Sequence, residues 1–241
     1  ASEFALDRET ELAAVQKDGV IDWNDKEQVL KAVSADGYAL ENASDELKAD
    51  REIVMAATRK DSFALFYASD ELKADRKFML AVIQSVGEAL EYASKKLRAD
   101  REIVLAAVQQ GGSEPDPYRE VALQYASKEL RADREVVLTA VQKQGEALRY
   151  ASDELRADRE IVLAAVQKNG DALKYASQEL KADREIVLAA VQNDGWALSY
   201  ASKELKADRE IVLAAVKSVG LSRVNNSPLE YTSDELKADR K

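Results

Sequence analysis

The stretch ELKADREIVLAAV occupies residues 179–191 and recurs unchanged at residues 204–216, 25 positions later. A catalytic site needs to be encoded once, whereas a structural unit that stacks on copies of itself is encoded many times. The aspartate of its Asp-Arg pair (Asp-Lys at residue 25) keeps the same period at Asp25, Asp50, Asp75 and Asp100, and again at Asp133, Asp158, Asp183 and Asp208. The sequence therefore predicts a single array of tandem repeats over residues 1–241.

A typical repeat, GEALRYASDELRADREIVLAAVQKNG at residues 145–170, divides into two predicted helices. The first covers about residues 146–151 and is followed by a turn at Ser152. Asp158 is predicted to cap the second helix, because its carboxylate can accept hydrogen bonds from the exposed N–H groups of the first turn. Gly170 is predicted to end that helix as a left-handed residue.

The second helix decides the architecture, because it is apolar on most of its sides. Only Glu160 and Gln167 form a narrow polar strip beside the run Ile161, Val162, Leu163, Ala164, Ala165 and Val166. A single helical hairpin cannot cover such a helix, but a neighbouring copy on each side can. We therefore predict an all-α fold, an α-solenoid of stacked two-helix repeats with a 25-residue period.

Four places depart from the regular period. An N-terminal unit at residues 5–19 carries Thr10 and Glu11 where later repeats are apolar, which is typical of an end cap. Longer loops are predicted near residues 109–121 and 220–228, which contain the prolines of the chain. The last unit stops after Lys241, before its apolar helix. Two explanations stay open: the sequence ends there because it is a fragment, or further repeats follow in a longer natural protein.

Composition excludes several classes of function. The chain has 241 residues, a net charge of −10, and neither cysteine nor histidine. Disulfides, thiolate chemistry, imidazole catalysis and the usual zinc sites are therefore absent, and a nucleic-acid partner is not expected of an acidic surface. No apolar run approaches the ~18 residues of a transmembrane helix. The N-terminal residues show no signal-peptide pattern, so we expect a soluble protein with the cytoplasm as the default, and the compartment stays open.

The consensus ALxYASxELxADREIVLAAVxxxG resembles a tandem helical repeat family of unknown function found in unicellular eukaryotes and in some bacterial effectors. The resemblance covers nearly the whole chain outside the two longer loops and the first linker. It implies an interaction or scaffolding segment, and it supplies no catalytic residues to carry over. The chain departs from the consensus at Asn42, where tyrosine is expected, and at Ser62, where glycine is expected.

Two ladders of recurring residues allow a structural and a functional interpretation. The Asp-Arg ladder includes Asp158, Arg159, Asp183, Arg184, Asp208 and Arg209. In the structural interpretation, the aspartates cap helices and the arginines pair with acids such as Glu154 or the aspartate of the next repeat. In the functional alternative, the row of arginines binds an anionic ligand. The tyrosine ladder comprises Tyr67, Tyr92, Tyr125, Tyr150, Tyr175, Tyr200 and Tyr231. It is interpreted as core, with a stacking platform for sugars or bases as the alternative.

Function is expected where the repeat is broken. Aromatic residues replace polar ones at Tyr38, Phe63, Phe66 and Trp196, and the long loop carries Tyr118. Phe63 and Phe66 lie three residues apart, so they are predicted to form one exposed apolar patch. The alternative is local repacking, in which these larger side chains, together with Phe78 and Val82 close by, are accommodated by shifts in the neighbouring repeat.

The leading hypothesis is a non-enzymatic array that binds protein partners or acts as a scaffold, without cofactor or metal. The alternatives are a carboxylate-based helical enzyme acting on carbohydrate and an acidic surface that binds calcium or mineral. No catalytic pair stands out, because the most regular acids recur in every repeat.

Overall fold

A computed structural model of the chain describes residues 21–110, 121–219 and 232. In these ranges every regular element is helical and no strand occurs, which confirms the all-α prediction. The chain divides into two compact units, Ala1–Gln110 and Gly111–Lys241, and the division falls inside the predicted long loop at residues 109–121. Each unit is described below by itself.

Each repeat that is described in full contains three helical segments, because the turn between its two predicted helices is itself a short helix. The long helices are Lys26–Ala35, Arg51–Lys60, Arg76–Ile83, Arg101–Gln109, Arg134–Lys143, Arg159–Lys168, Arg184–Asn193 and Arg209–Val219. The 3₁₀ helices that precede the turn are Gly37–Asn42, Ser62–Tyr67, Gly87–Tyr92, Ala122–Tyr125, Gly145–Tyr150, Gly170–Tyr175 and Gly195–Tyr200. The turn helices are Asp45–Lys48, Asp70–Ala74, Leu97–Ala99, Leu130–Ala132, Asp153–Arg156, Leu180–Ala182 and Leu205–Ala207.

The first two helical segments of the repeat at residues 145–170 are short. The 3₁₀ helix ends where the Ala151 N–H donates to the Leu148 carbonyl, 3.2 Å away and three residues back. This bond between residues three apart is the hydrogen bond that defines the tighter 3₁₀ helix. Ser152 then accepts a hydrogen bond from the Leu155 N–H at 3.4 Å, so the predicted turn at this serine is itself a capped helical turn.

The long helices supply the core, although less completely than predicted. In Arg159–Lys168 the side chains of Ile161, Val162 and Val166 are buried, whereas Leu163 and Ala164 are only half-buried. The same two positions are half-buried in most described repeats. The helix is therefore covered on both flanks and leaves an apolar strip on the surface of the stack.

Within each unit, consecutive repeats stack in register. Neighbouring long helices contact each other, and so do neighbouring 3₁₀ helices. In five described repeats the serine two residues after the 3₁₀ helix donates its backbone N–H to a carbonyl in the turn helix of the previous repeat. These bonds are Ser69 to Lys48, Ser94 to Lys73, Ser152 to Arg131, Ser177 to Arg156 and Ser202 to Lys181, each at 2.9 Å. This backbone ladder and the shared core confirm the solenoid within each unit.

Gly170 does not end the long helix in the left-handed conformation, so that prediction was wrong. Asn169 ends the helix in an extended conformation, with φ −150° and ψ 112°, and Gly170 starts the next 3₁₀ helix. A Cβ at Gly170 would lie 2.5 Å from the carbonyl oxygen of Ala190 in the following repeat. Glycine is needed at this position because the backbone of the neighbouring repeat approaches closely.

The repeat that contains Ser62 has no glycine at this position. Ser62 occupies the glycine position. In the following long helix, Phe78 stands where most other repeats have isoleucine or valine, and Val82 stands where they have alanine. Phe78 is 3% exposed and Val82 is 1% exposed, so both larger side chains fill the space between repeats. Phe78 and Val82 therefore belong to the core and not to the exposed surface.

Several predicted features lie outside the described residues. They are the polar unit at residues 5–19, the loop residues around Tyr118, the loop at residues 220–228, and the end of the chain at Lys241. The longest described helix, Arg209–Val219, has 11 residues. None of the helices in the described ranges has both the length and the apolar character that a membrane crossing needs.

Candidate interaction surface

The Asp-Arg ladder connects neighbouring repeats. In the second unit the arginine Nε lies 3.3 Å from the next aspartate for Arg134 and Asp158, 3.2 Å for Arg159 and Asp183, and 3.3 Å for Arg184 and Asp208. The same arginines bind Glu160, Glu185 and Glu210 through a terminal guanidinium nitrogen, Nη2. The aspartate that the register assigns to Arg209, Asp239, lies outside the described residues.

Six described aspartates of the ladder have two separate roles. One oxygen of Asp183 accepts from the N–H groups of Glu185 and Ile186 at 3.0 and 3.1 Å, and the other accepts from Arg159 at 3.2 Å. Burial works to raise the pKa of Asp183, but the Ile186 N–H and Arg159 outweigh it, so the pKa lies below its usual value. The first unit repeats the arrangement, since Arg76 lies 2.8 Å from Asp100 and lowers its pKa.

These contacts favour the structural interpretation of the ladder over the anion-binding one. The predicted partner in the next repeat is confirmed, whereas Glu154 of the preceding turn does not bind Arg159 in the structure. Each of these arginines is held by two carboxylates, and the pairing offsets the unfavourable position of a cation at a helix N-terminus. An incoming anion would have to displace both carboxylates.

The tyrosine ladder is neither core nor a free platform. Six described members, Tyr67, Tyr92, Tyr125, Tyr150, Tyr175 and Tyr200, are half-buried, whereas Tyr231 lies outside the described residues. Basic side chains lie over two of these rings: Arg149 is 5.6 Å from the ring centre of Tyr150, and Lys174 is 4.9 Å from that of Tyr175. The ring bodies cover the edge of the core, and the prediction of buried tyrosines was therefore too strong.

In the first unit, five aromatic side chains from three consecutive repeats form one cluster, called here the aromatic cluster. Its members are Tyr38, Phe63, Phe66, Tyr67 and Tyr92. Phe63 is at its centre: its ring lies parallel to that of Tyr38 at 5.2 Å and to that of Phe66 at 5.6 Å, with interplanar angles of 25° and 19°. Tyr92 and Tyr67 meet Phe63 edge to face at 6.2 and 6.3 Å, and Tyr67 also meets Phe66 edge to face at 5.3 Å.

The centre of the aromatic cluster is open to solvent. Phe66 is 58% exposed and Phe63 is 39% exposed, and among the described residues only Leu213 joins them as a large exposed apolar side chain. The prediction that Phe63 and Phe66 form one exposed apolar patch is confirmed, and unlike Phe78 neither has been repacked into the core. Two exposed phenylalanines in contact form a contiguous patch rather than scattered surface residues.

The other candidate residues do not belong to this cluster. Trp196 lies in the second unit, where it is half-buried and its backbone N–H donates to the carboxylate of Asp194 at 3.0 Å. Tyr118 lies outside the described residues. Conversely, the sequence pattern did not single out Tyr67 and Tyr92 as members of the site, because both occupy a position that is tyrosine in most repeats.

The matching positions of other repeats show what the cluster replaces. In the second unit the positions of Phe63 and Phe66 are occupied by Asp171 and Lys174, which form an ion pair at 3.4 Å. A charged pair therefore satisfies the fold at this place, and the two phenylalanines are not required for stacking. This difference marks the aromatic cluster as the strongest candidate for a binding surface.

The half-buried strip on the long helices forms a second apolar surface. Between consecutive helices it lines an open groove with Leu80 and Leu105 in the first unit, and another with Leu188 and Leu213 in the second. The grooves follow the regular period, so they reflect the repeat rather than one specialised place. Among the described residues no group of three or more aspartate or glutamate side chains is arranged to hold a metal ion.

Comparison with protein families assigns the repeats. A family model described as "Domain of unknown function (DUF4116)" matches residues 25–73, 75–131, 116–156, 133–181 and 183–237. The chain belongs to the DUF4116 family. The DUF4116 segment at residues 25–73 contains Tyr38, Phe63, Phe66 and Tyr67, and the segment at residues 75–131 contains Tyr92, so the aromatic cluster is built by two adjacent DUF4116 segments. No curated protein and no solved structure matches the chain.

Proposed function

We propose that this DUF4116 repeat array is a non-enzymatic protein-interaction module and that its aromatic cluster contacts a protein partner. The observation that carries the proposal is the exposure of Phe63 and Phe66, whose rings contact each other at the surface of the first unit. Exposed aromatic side chains gain the most from burial against a partner, because each removes a large apolar area from water.

The surrounding structure supports a binding role in two ways. The cluster draws its rings from three repeats whose backbones are joined by hydrogen bonds of 2.9 Å, from Ser69 to Lys48 and from Ser94 to Lys73. Rings on such a framework lose little freedom when a partner binds, which reduces the entropic cost of association. The aromatic centre with a polar rim also has the composition of many protein interfaces.

The non-enzymatic part of the proposal is supported by the distribution of acids. The most prominent carboxylates, such as Asp158 and Asp183, cap helices and bind arginines in repeat after repeat. A general acid and base pair needs two carboxylates with different environments, and these acids share one environment.

The test is a comparison of two forms of the full chain as bait. Proteins captured from an extract of the source organism are identified with the unchanged chain and with a Phe63→Asp/Phe66→Lys variant, which carries the pair that Asp171 and Lys174 form in another repeat. Each captured partner is then purified and its affinity for both forms is measured. We expect a partner whose affinity falls by about tenfold or more in the variant, as for the loss of an interface hot spot.

A Trp196→Asp/Ser199→Lys variant, which makes the same change in the second unit, is the matched control and should keep the partner. Circular dichroism of all forms verifies that the helices are intact. If every captured partner binds the unchanged chain and the Phe63/Phe66 variant equally well, the aromatic cluster is not the interaction surface.

A further inference from the structure

The chemistry of the 3₁₀ helices around the aromatic cluster identifies the kind of partner. In the first unit the three helices Gly37–Asn42, Ser62–Tyr67 and Gly87–Tyr92 carry the acids Glu41, Glu88 and Glu91 and no lysine or arginine. In the second unit each acid on a 3₁₀ helix is accompanied by a base: Glu146 by Arg149, and Asp171 by Lys174. Among the described 3₁₀ helices that precede the turns, those of the first unit alone combine several aromatic rings with acids and carry no base.

The register of the stack places these acids on both sides of the exposed rings. Tyr38 and Phe63 occupy the same position in consecutive repeats, and their ring centres are 5.2 Å apart. By the same register Glu41 precedes Phe66 by one repeat and Glu91 follows it by one repeat, and both glutamates are exposed. Phe66 thus lies between two carboxylates on the surface of the first unit.

The rings themselves present faces that attract cations. The parallel arrangement of Tyr38, Phe63 and Phe66, with angles of 25° and 19°, leaves a column to which another planar group can be added. A guanidinium group is planar, stacks on aromatic faces and pairs with carboxylates, whereas a neutral apolar group uses only the rings.

A cation of the chain already lies at the edge of this column. The Lys73 ammonium is 6.0 Å from the ring centre of Phe66, and it donates a hydrogen bond of 2.7 Å to the Phe66 carbonyl oxygen. Burial lowers the pKa of Lys73. This cation is half-buried and is held by a backbone carbonyl, and Lys48 and Arg98 occupy the same position in the turn helices of the neighbouring repeats.

We propose that the aromatic cluster binds an arginine side chain from a basic segment of a partner protein, with Glu41 and Glu91 providing the opposite charge. This inference rests on the proposed function and narrows it to one class of partner. The net charge of −10 of the whole chain would further favour the approach of a basic segment.

The experiment measures the anisotropy of a fluorescein-labelled peptide with three arginines separated by Gly-Ser spacers, titrated with the full chain. Two matched peptides replace each arginine by citrulline, which is planar but neutral, or by lysine. We expect the citrulline peptide to bind about tenfold more weakly or worse, because it loses both the cation–π contact and the ionic contact. The lysine peptide should lie between the two, since an ammonium keeps the charge but not the planar stacking.

Variants of the protein separate the contributions of rings and acids. Phe63→Asp/Phe66→Lys should weaken arginine-peptide binding about tenfold or more, since it removes two ring faces and adds a lysine. Glu41→Gln/Glu91→Gln should weaken it by a few-fold and make it less sensitive to salt, because exposed charges are screened. Trp196→Asp/Ser199→Lys should leave it unchanged.

Three outcomes would overturn the inference. They are equal binding of the arginine and citrulline peptides, equal binding by the unchanged chain and the Phe63/Phe66 variant, and no binding of the arginine peptide at millimolar protein. If protein partners are still captured in a manner that depends on Phe63 and Phe66, the interaction function stands and only the basic partner is rejected. If no captured partner requires Phe63 and Phe66 for binding but the arginine peptide does, the cluster has the proposed chemistry, and the captured proteins use another surface.

Discussion

The aspartate before each long helix shows how one residue serves two levels of structure. One oxygen of Asp183 caps its own helix at 3.0 and 3.1 Å, and the other reaches Arg159 of the previous repeat at 3.2 Å. The cap stabilises the local helix, whereas the ion pair stabilises the stack. A single side chain therefore couples helix formation to the presence of a neighbour.

Replacing Asp183 by asparagine separates the two roles, because asparagine remains a good N-cap but carries no charge. We expect Asp183→Asn to lower the free energy of unfolding by about 0.2–1 kcal/mol, the range of an exposed ion pair. The loss should shrink in 1 M NaCl, where surface charges are screened. Urea unfolding at low and high salt measures both, and a loss that is independent of salt would contradict the ionic explanation.

The pH dependence of the same variant follows from the lowered pKa of Asp183. The usual pKa of an aspartate is 3.8, and in the folded chain the Asp183 proton is bound less readily. The stabilisation is thus complete above pH 3.8 and is lost as the pH falls through the lower folded value. Unfolding curves of the unchanged chain and of Asp183→Asn should converge below pH 3.8, whereas a constant difference down to pH 2 would contradict the assignment.

Gly170 is the residue at which the spacing between repeats is most directly testable. A Cβ there would meet the Ala190 carbonyl oxygen at 2.5 Å and the Asp194 backbone nitrogen at 2.9 Å. Both are backbone atoms, which cannot turn aside, so Gly170→Ala should destabilise the second unit by about 1–3 kcal/mol, as other overpacked sites do. Ser62→Gly is the control, since that repeat already accommodates a side chain, and its effect on thermal unfolding should be clearly smaller.

At the scale of the helix, burial distinguishes two apolar positions that look equivalent in the sequence. In Arg184–Asn193 Ile186 is fully buried, whereas Leu188 is half-buried on the surface strip. Ile186→Ala should cost about 2–5 kcal/mol because it leaves a cavity. Leu188→Ala should cost much less, and chemical denaturation of the two variants measures the difference. Equal losses would mean that the strip is covered.

The helical elements were predictable only in part from the sequence. The period of 25 residues, the Asp caps and the apolar long helices follow from the printed residues, and the structure confirms them. The 3₁₀ geometry of Gly145–Tyr150 was missed because apolar spacing over six residues does not distinguish a 3₁₀ helix from an α-helix. The exposure of Leu163 was missed because the side on which a neighbour stacks is a property of the stack and not of one helix.

At the scale of the molecule, the candidate site was found where the sequence departs from its own repeat. Phe66 replaces a residue that is polar or charged in the other described repeats, and Phe63 is aromatic where several repeats have an acid; this difference predicted an exposed patch. Tyr67 and Tyr92 carry the consensus residue and gave no such signal, although the structure brings both to the cluster. Trp196 gave the same signal as Phe63 but has no exposed aromatic partner in its repeat, where the position of Phe66 is Ser199.

The division into two compact units predicts that a defect in one is not transmitted to the other. The units Ala1–Gln110 and Gly111–Lys241 each have their own core, with Ile53 fully buried in the first and Ile186 in the second. In a repeat array stability depends on the repeats and their nearest neighbours. Ile53→Ala should therefore speed amide hydrogen exchange in the long helices of the first unit and leave that of the second unchanged, and Ile186→Ala should do the reverse. Mass spectrometry of exchange in both variants tests this, and faster exchange in both units from either substitution would show that the two halves unfold as one cooperative body.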